Sequence, residues 1–378
     1  MACASEVRVL GVQLRDFRTY ARAEAAIGES LTVVHGPNGA GKSNLLEGLY
    51  FGCTGRSSRT RNERELVRFG ARAARVTVGL LVDGRAHELG VGFGVEPPAA
   101  QLVKRMSADG APVERLLDVE ARPLVSVFEP DRLALVKGPP AVRRAHLDQV
   151  VAAIWPPRAQ DRSRYARALA QRNALLGRIR AGRASDASLE TWDRELAASA
   201  LALRANREAA TGLLAEPFAK HAAQLGCNGE LVLEYRPRSR AADEHEYMAE
   251  LRERLPRDLE RGFSGHGPHR DELALVRERR ELRVYGSQGE QRLALLSLLL
   301  AERSVLAEQR RRSPLMLLDD VMSELDAERR ELLVEELRRG GQSVIATTEL
   351  AHIPGAGDAS VTRLRVSPGA VLQEAIAA

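Results

Sequence analysis

The chain has 378 residues, 44% of them hydrophobic and 28% charged, which is ordinary for a globular protein of two or three domains. It contains no apolar run near the ~20 residues of a membrane span, and its N-terminus lacks the pattern of a secretory signal, so we expect no membrane partner. The net charge of +5 comes almost entirely from arginine, which suits phosphate recognition but is equally typical of a GC-rich genome.

The N-terminal third is predicted to be rich in β-structure. Apolar alternation indicates a strand over 8–17, and a buried pattern over 30–34 indicates a second strand, followed by an amphipathic helix over 42–51. Asp-Gly pairs typical of tight hairpins separate the next alternating segments. These segments are 75–82 and 87–93 around Asp83-Gly84, 101–106 and 113–117 around Asp109-Gly110, and a short strand over 124–128.

The turn between the buried strand and the helix carries the strongest motif in the chain. Residues 36–43 match G-x-x-x-x-G-K-[ST] without a mismatch, in the strand–turn–helix setting that a polyphosphate site requires. Lys42 is expected to reach the β- and γ-phosphates of a nucleoside triphosphate, and the Ser43 hydroxyl to bind Mg²⁺. The predicted nucleotide-binding residues are Gly36, Pro37, Asn38, Gly39, Ala40, Gly41, Lys42, Ser43 and Asn44. The alternative, a chance glycine-rich turn ending in Lys-Ser, is disfavoured because strand and helix are in register with it.

From about Pro139 the pattern changes to long helices. Two apolar stripes at three- and four-residue spacing predict an antiparallel helical hairpin, and the second stripe continues to Leu213, before Pro217. The stripes comprise Tyr165, Leu169, Leu176 and Ile179 and, after a connector over 181–188, Leu189, Trp192, Leu196, Ala200, Leu203, Ala210 and Leu213. They fit core faces of globular helices as well as a partner-binding surface, and they span too few heptads for a long coiled coil.

The C-terminal third returns to alternating helices and strands. The predicted elements are a strand over 281–285, a helix over 288–312, a strand over 315–318, a helix over 326–339 and a strand over 342–346. Because the P-loop lies far upstream of these elements, we infer that a large insertion interrupts one nucleotide-binding head. The predicted domains are an N-terminal lobe of the head over 1–138, a helical arm over 139–261 and a C-terminal lobe over 262–378.

An apolar strand ending in two carboxylates, Asp319 and Asp320, has the Walker B pattern. We expect Asp319 to bind Mg²⁺ together with Ser43, from the end of a strand next to the P-loop strand. Asp320 is expected to orient or deprotonate the attacking water, and with Lys42 it is a predicted catalytic residue. Strands often end in aspartate at a turn, and the pairing with an intact P-loop is what favours the catalytic interpretation.

The segment Ser287-Gln288-Gly289-Glu290-Gln291, one helix upstream of Asp319, has the position and shape of an ABC signature. A serine and a glycine at a helix N-terminus can donate to an anion, and in such ATPases this helix faces the γ-phosphate bound by the other subunit. We therefore predict that Ser287 acts in trans and that Gly289 contacts the nucleotide. A plain N-cap serine, with Glu290 completing a capping box, also fits the local pattern. The order P-loop, insertion, signature and Walker B favours the signature.

A D-loop-like Ser323-Glu324-Leu325-Asp326 follows, and Thr347-Thr348 stands where a switch histidine is expected. With these variants the chain resembles the RecF family of bacterial DNA-repair ATPases, which are related to SMC heads. The stretches that match this family are 14–20, 129–138, 143–148, 171–176 and 266–271, and the match runs from about residue 7 to 350. The resemblance implies an α/β fold, an ABC-type P-loop ATPase head interrupted by a mainly helical arm or lid domain.

The resemblance also implies a function. RecF-like proteins bind ATP with Mg²⁺, form a head-to-head homodimer with two nucleotides at the interface, and clamp double-stranded DNA near single-strand gaps and junctions. With RecR and RecO they assist RecA loading in gap repair, replication recovery and the SOS response. Asp320 is one methylene shorter than the glutamate common in ABC ATPases, and no switch histidine or obvious Q-loop glutamine is present. We therefore expect slow, DNA-stimulated hydrolysis that acts as a switch.

The expected DNA contacts and cellular location depend on composition. Aromatic residues are only 4% of the chain, which favours contact with the duplex backbone over base stacking. The candidate clusters are Arg56, Arg59, Arg61 and Arg64, then Arg236, Arg238 and Arg240, then Arg310–Arg312, although exposed arginines are usually only solvated. Three distant cysteines without a C-x-x-C pair predict neither a disulfide framework nor structural zinc, and they favour a reducing cytoplasm.

Two other classes of protein share parts of this pattern. A transporter ATPase would normally carry L-S-G-G-Q, a switch histidine and a smaller helical domain, and an SMC-like chromosome-organising head would need long heptad arms. His266 and His269 with Asp271 form a weak candidate metal site, because no fourth ligand is evident. We favour a structural or coupling role for these two histidines.

Overall fold

The computed structural model of the protein describes residues 7–96 and 101–374, and Cys3 lies outside these ranges. Its strands are β1 (Val7–Phe17), β2 (Tyr20–Ala26), β3 (Leu31–His35), β4 (Ala73–Val82), β5 (Arg85–Glu96), β6 (Gln101–Ala108), β7 (Ala111–Val113), β8 (Val125–Phe128), β9 (Leu231–Arg236), β10 (Glu272–Arg277), β11 (Arg280–Glu281), β12 (Leu315–Asp319), β13 (Ser343–Thr347), β14 (Val361–Ser367) and β15 (Ala370–Gln373). Its helices are α1 (Lys42–Thr54), α2 (Ala134–Lys137), α3 (Pro140–Ile154), α4 (Ala159–Arg180), α5 (Glu190–Gln224), α6 (Glu244–Arg261), α7 (Leu282–Tyr285), α8 (Gln288–Arg310) and α9 (Ala327–Arg339).

The described chain divides into two compact units. The first comprises the residues up to Arg132 together with those from Leu306 onward, and the second comprises Leu133–Val305. This division differs from the predicted boundaries at 139 and 262. The predicted signature segment, residues 287–291, belongs to the second unit together with the long helices. Antiparallel pairing of β10 with β9 and the bidentate contact of Arg143 with Glu272 join the start of the predicted C-terminal lobe to the second unit.

A mainly parallel sheet forms one layer of the first unit. Its strand order is β15-β14-β3-β13-β12-β8, and every pair except β14–β15 is parallel. Because parallel strands share one carboxyl edge, the P-loop after β3 and the carboxylates that end β12 meet at that edge. The prediction that the Walker B strand β12 lies next to the P-loop strand β3 is wrong, since β13 pairs with both strands and lies between them.

An antiparallel sheet, β2-β1-β4-β5-β6-β7, forms the second layer of this unit. Both predicted hairpins are confirmed, and their Asp-Gly turns have positive φ at both central residues, as a type I′ turn requires. Helix α1 contacts strands of both sheets and is buried on nearly all sides, so the predicted amphipathic helix has no broad solvent face. Glycine permits this close packing: a Cβ at Gly52 would lie 2.4 Å from the Val78 side chain.

Helices α4 and α5 form the antiparallel hairpin predicted for the second unit. Asp161 accepts from Asn206 near one end of the pair, and Arg172 donates to Asp193 near the other, which fixes the antiparallel direction. Helix α5 continues through Pro217 to Gln224, beyond the apolar stripe that the sequence places before the proline. The missing N–H costs the helix one hydrogen bond, and burial of Phe218 and the residues that follow it offsets that cost.

A buried polar network joins several helices of the second unit. Arg207 makes a bidentate contact with Asp148, at 2.8 and 3.1 Å, and its Nη1 lies 3.3 Å from Asp271 Oδ2. Asp271 also accepts from the Tyr235 hydroxyl and from the backbone N–H of Arg238. Each charge in this interior therefore has a counter-charge and several hydrogen bonds, which is the condition for burying it.

Other local predictions differ from the structure. The strand predicted over 281–285 is wrong: only Arg280–Glu281 pairs as β11, and Leu282–Tyr285 is a helical turn. The second strand of the hairpin at Asp109-Gly110 ends at Val113, and Leu116–Asp118 is a 3-10 turn. The sequence reasoning did not identify β2, β9, β10, β14, β15 or α6.

Among the helices that the structure describes, none is long and apolar enough to cross a membrane.

Candidate nucleotide-binding site

The P-loop turns sharply between β3 and α1. Gly41 has φ 115°, and a Cβ there would lie 2.8 Å from the Tyr20 hydroxyl, so both backbone angle and space require glycine. Lys42 begins α1, and its Nζ donates to the carbonyl oxygens of Gly36 at 2.8 Å and Pro37 at 3.0 Å. The ammonium group therefore lies inside the curve of the loop, where polyphosphate oxygens bind in this motif.

Residues at the end of β1 and the start of β2 support the loop. The Tyr20 hydroxyl donates to the Gly41 carbonyl at 3.0 Å, and burial raises the pKa of Tyr20, which keeps this donor protonated. Asn44 Nδ2 donates to Thr19 Oγ1 at 3.1 Å. The stretch over 14–20 that carried part of the family resemblance therefore has a structural reason, because it fixes the loop and the first turn of α1.

A charge cluster on α1 holds the segment that follows the helix. The Glu47 carboxylate is fully buried and accepts from Arg18 Nε at 2.8 Å and Arg18 Nη2 at 2.9 Å. It also accepts from Ser57 Oγ at 2.5 Å. Arg59 Nη1 lies 3.6 Å from Glu47 and donates to Asn44 Oδ1 at 3.1 Å. Arg59, which the sequence grouped with candidate DNA contacts, thus lies against the P-loop helix.

The Walker B carboxylates have different surroundings. Asp319, at the end of β12, is buried and hydrogen-bonded to the Ser43 hydroxyl. Burial raises the pKa of Asp319, and the Ser43 hydrogen bond and the charges of Arg59 and Lys42 oppose the rise. Asp320 has φ 51°, in the left-handed region, and its side chain is exposed, whereas that of Asp319 is buried.

The lysine and the metal-binding residues form one electrostatic unit. Burial lowers the pKa of Lys42, whereas the negative charges of Asp319 and Asp320 oppose that change. Ser43 and Asp319 supply one hydroxyl and one carboxylate oxygen, a donor pair that fits Mg²⁺ when phosphates and water complete the shell. Within the described ranges no cluster of three or more His, Cys, Asp or Glu residues is arranged to hold a metal ion by itself.

Glu129 is a third carboxylate at this edge, and the sequence reasoning gave it no role. It directly follows β8, which pairs with β12, and its side chain is buried and accepts from Ser58 Oγ at 2.6 Å. Burial raises the pKa of Glu129, and the charge of Asp319 raises it further. The sequence feature that indicates Asp319, an apolar strand that ends in an acid, is also present at 124–129 and could have identified Glu129.

The predicted signature segment lies in the second unit at the start of α8. The backbone N–H of Ser287 donates to Glu290 Oε2 at 2.8 Å, and the N–H of Glu290 donates to Ser287 Oγ at 3.3 Å. These two bonds form the capping box that the sequence also predicts as the local alternative. The Ser287 hydroxyl only accepts in them, so neither bond uses its proton. Ser287 and Gly289 are both exposed, and a Cβ at Gly289 would meet no atom within 4 Å.

Thr347, His266 and His269 make hydrogen bonds within the fold. Thr347 ends β13, is buried, and donates through Oγ1 to the Glu349 carbonyl at 3.1 Å. His266 lies 2.6 Å from Glu250, whereas His269 contacts the Tyr165 hydroxyl at 2.6 Å and the Ser264 carbonyl at 3.0 Å. These contacts use both imidazoles within the fold and give the two histidines the structural surroundings that we favoured.

The candidate arginine clusters are also partly engaged within the fold. Arg236 pairs with Glu234 and Glu281, and Arg312 Nη1 donates to the Glu120 carbonyl at 2.6 Å. Arg59 and Arg236 are therefore weaker DNA-binding candidates, because a guanidinium that is already paired with a carboxylate gains less from a phosphate.

Comparison with known proteins gives a consistent family assignment for this geometry. A family model described as an AAA domain matches residues 12–90. The DNA replication and repair protein RecF of Myxococcus xanthus is 37% identical over 377 residues, which covers 97% of this chain and 97% of the relative. The protein of the same name from Heliobacterium modesticaldum is 35% identical over 353 residues, covering 92% and 93%.

Solved structures agree with these relatives. A structure of the recombination mediator protein RecF with ATP, in the RecFOR pathway, has a TM-score of 0.82 at 26% identity and covers 99% of both chains. An Smc head bound to the C-winged helix domain of ScpA has a TM-score of 0.60 at 15% identity, which indicates a shared fold alone. The fold prediction, an α/β ABC-type ATPase head with a helical insertion, is confirmed.

Proposed function

Because this chain belongs to the RecF family of ATP-binding DNA replication and repair proteins, we propose that it is a recombination mediator that dimerises when it binds ATP. The dimer clamps double-stranded DNA near single-strand gaps and junctions. With RecO and RecR it assists RecA loading in gap repair, replication recovery and SOS induction. The solved relative described as a recombination mediator of the RecFOR pathway supports this proposal.

The observation that carries the proposal is that the two groups of residues predicted to contact the nucleotide have different surroundings. Lys42, Ser43 and Asp319 are already hydrogen-bonded to their neighbours in the first unit. Ser287 and Gly289 instead lie at an exposed helix N-terminus in the second unit, with small side chains and an open approach. Such a helix end is suited to closing over the γ-phosphate held by a second copy of the chain, which makes ATP part of the dimer interface.

The mechanism assigns a separate task to each residue. Lys42 holds the β- and γ-phosphates, while Ser43 and Asp319 would hold Mg²⁺, which neutralises charge on the transferred phosphoryl group. Asp320 would orient the attacking water. Its side chain is exposed in the monomer, so bulk water competes for it until a partner surface covers the site. Hydrolysis is therefore slow and depends on dimerisation, and the lifetime of the clamp follows the turnover of ATP.

The proposal is tested by placing a bulky cation at the signature serine. Ser287→Arg is expected to bind ATP as the wild type does but to remain monomeric with ATP in sedimentation velocity. Ser185→Arg is the matched control, because Ser185 is also an exposed N-cap serine of the second unit and accepts from the Ala187 N–H. Lys42→Met should lose ATP binding.

The possible outcomes distinguish the parts of the proposal. ATP-induced dimers of Ser287→Arg would contradict the role of Ser287 in trans, and retained nucleotide affinity in Lys42→Met would contradict the P-loop assignment. Two results together would contradict the clamp and favour a transporter-type ATPase. Duplex DNA would fail to stimulate hydrolysis by the wild-type protein, and ATP would fail to retain the protein on DNA. Asp320→Asn should prolong the ATP-bound dimer because it removes the group that orients water.

A further inference from the structure

Four arginines lie in register across the outer face of the antiparallel sheet. On β2 and β1, Arg22 pairs with Arg15, and Arg15 in turn pairs with Arg75 on β4. Arg75 pairs with Gly92 on β5, and Gly92 pairs with Arg105 on β6. All four side chains are exposed, whereas Leu14, Ala23, Ala74 and Val76, which adjoin them on β1, β2 and β4, are buried. We call this set the arginine row.

The arginine row is unfavourable for the isolated fold. Like charges placed directly opposite on neighbouring strands repel each other, and an antiparallel sheet normally places opposite charges there. Within residues 7–96 and 101–374, neither Arg15, Arg22 nor Arg75 has an ion-pair partner. Glu24, on the adjacent row, instead accepts from Gln13 Nε2 at 3.3 Å. The unpaired charges of Arg15, Arg22 and Arg75, which oppose the preference of the sheet, suit a polyanion outside the protein.

Gly92 is an independent sign that a ligand approaches this face. A glycine inside a strand weakens it, and it often marks a place where another backbone comes close. Neighbouring glycines of β5 have a packing reason, since a Cβ at Gly90 would lie 2.6 Å from Ser107 Oγ and one at Gly94 would lie 2.7 Å from the Ala73 Cβ. Gly92 has none: a Cβ there would meet no atom within 4 Å, and its φ is not in the left-handed region.

The dimensions of the arginine row match a nucleic-acid backbone. Five strands at a spacing of about 4.8 Å make the row about 19 Å long. One strand of DNA advances about 3.4 Å per phosphate, so the row spans roughly five phosphates. No aromatic side chain interrupts the row, so recognition depends on charge and on the guanidinium fork rather than on base stacking.

We propose that the outer face of this sheet binds the phosphate backbone of duplex DNA, with the arginine row as the contact and Gly92 as the gap into which the backbone settles. This inference depends on the proposed function, because it identifies the surface through which the clamp holds DNA. It assigns DNA binding to residues other than the three clusters that sequence proximity suggested.

Salt dependence of binding to a blunt 30-base-pair duplex, measured with ATP by fluorescence anisotropy, tests the proposal. Each phosphate neutralised contributes about 0.9 to the slope of log affinity against log salt concentration. The triple variant Arg15→Ala, Arg22→Ala, Arg75→Ala is therefore expected to reduce the slope by about 2.7, with the same loss on unrelated duplex sequences. The triple lysine variant keeps the charges and should retain most of the slope.

Two further variants separate contact from folding. Arg85→Ala removes one exposed arginine from the turn end of β5, outside the row, and should leave the slope unchanged. Gly92→Glu fits the sheet sterically, so it should keep the thermal unfolding temperature and the ATP affinity while weakening duplex binding at least tenfold. Gly92→Thr, which adds bulk without charge, should weaken binding less than glutamate does but more than Arg85→Ala does.

The outcomes separate this inference from the proposed function. If the wild type binds duplex with ATP and the triple alanine variant has the same slope and affinity, the arginine row is refuted while the clamp stands. If Gly92→Glu binds as tightly as the wild type, the gap is refuted. If the wild type does not bind duplex at all, both the clamp and this surface are refuted.

Discussion

Replacing Arg172 by methionine is expected to destabilise the helical unit by about 3–5 kcal/mol, because two buried carboxylates lose their cation. The Arg172 side chain is fully buried on α4. Its Nε donates to Asp193 Oδ1 at 2.6 Å and its Nη1 donates to Asp258 Oδ2 at 2.7 Å, so one guanidinium ties α4 to α5 and α6. Methionine fills much of the same aliphatic volume, which makes lost charge rather than a cavity the dominant effect.

Urea unfolding followed by tryptophan fluorescence measures this effect within one unit. The chain has two tryptophans, Trp155 and Trp192, and both lie between Leu133 and Val305. With an m-value of about 2 kcal/mol/M, the expected loss lowers the midpoint by roughly 1.5–2.5 M.

A charge-matched control decides between electrostatics and packing. Arg172→Met combined with Asp193→Asn and Asp258→Asn leaves no uncompensated charge, so it should recover most of the stability that the single change removes. A loss below about 1 kcal/mol in the single variant would refute the reasoning, since an ordinary neutral hydrogen bond contributes that much. Equal losses in the single and triple variants would show that packing, not charge, makes Arg172 necessary.

Three further predictions concern the nucleotide site and the two described cysteines. Gly41→Ala should reduce ATP affinity at least tenfold by equilibrium dialysis, because both φ 115° and the Tyr20 hydroxyl exclude a Cβ. Mg²⁺-dependent nucleotide binding should weaken at mildly acidic pH, because burial raises the pKa of Asp319 and the protonated acid cannot hold the metal; Asp319→Asn should lose this pH dependence. Iodoacetamide should alkylate Cys227 before Cys53 at pH 8 in peptide mass mapping, since burial raises the pKa of the Cys53 thiol to about 12.

Motifs that act through their own local backbone were predictable from the sequence. The P-loop needs glycines at fixed positions between a strand and a helix, and these features are contiguous in the chain. The same holds for Asp319 at the end of an apolar strand and for the Asp-Gly hairpin turns, whose positive φ values follow from residue type. The resemblance of the stretch over 171–176 to a family element was also visible, but its reason, the buried guanidinium of Arg172, was not.

Errors in the predicted elements came from tertiary effects that outweigh local preference. A proline in the interior of a helix removes a hydrogen bond, yet α5 continues past Pro217 because the residues after it are buried within the second unit. The alternation over 281–285 suggested a strand, but with β11 ending at Glu281 no partner strand extends there. Strand formation needs a neighbour, and a neighbour distant in sequence leaves no local signal.

The sequence by itself determined that this protein binds a nucleoside triphosphate, because the P-loop and the Walker B acid carry their chemistry in contiguous residues. The tertiary structure alone decided which other side chains join the site and which surface gathers positive charge. Glu129 reaches the edge near Asp319 through the pairing of β8 with β12, and the arginine row exists only through the register of five strands. Register is set by burial of one sheet face over long sequence separations, so a shift of one residue would have turned these arginines into the core.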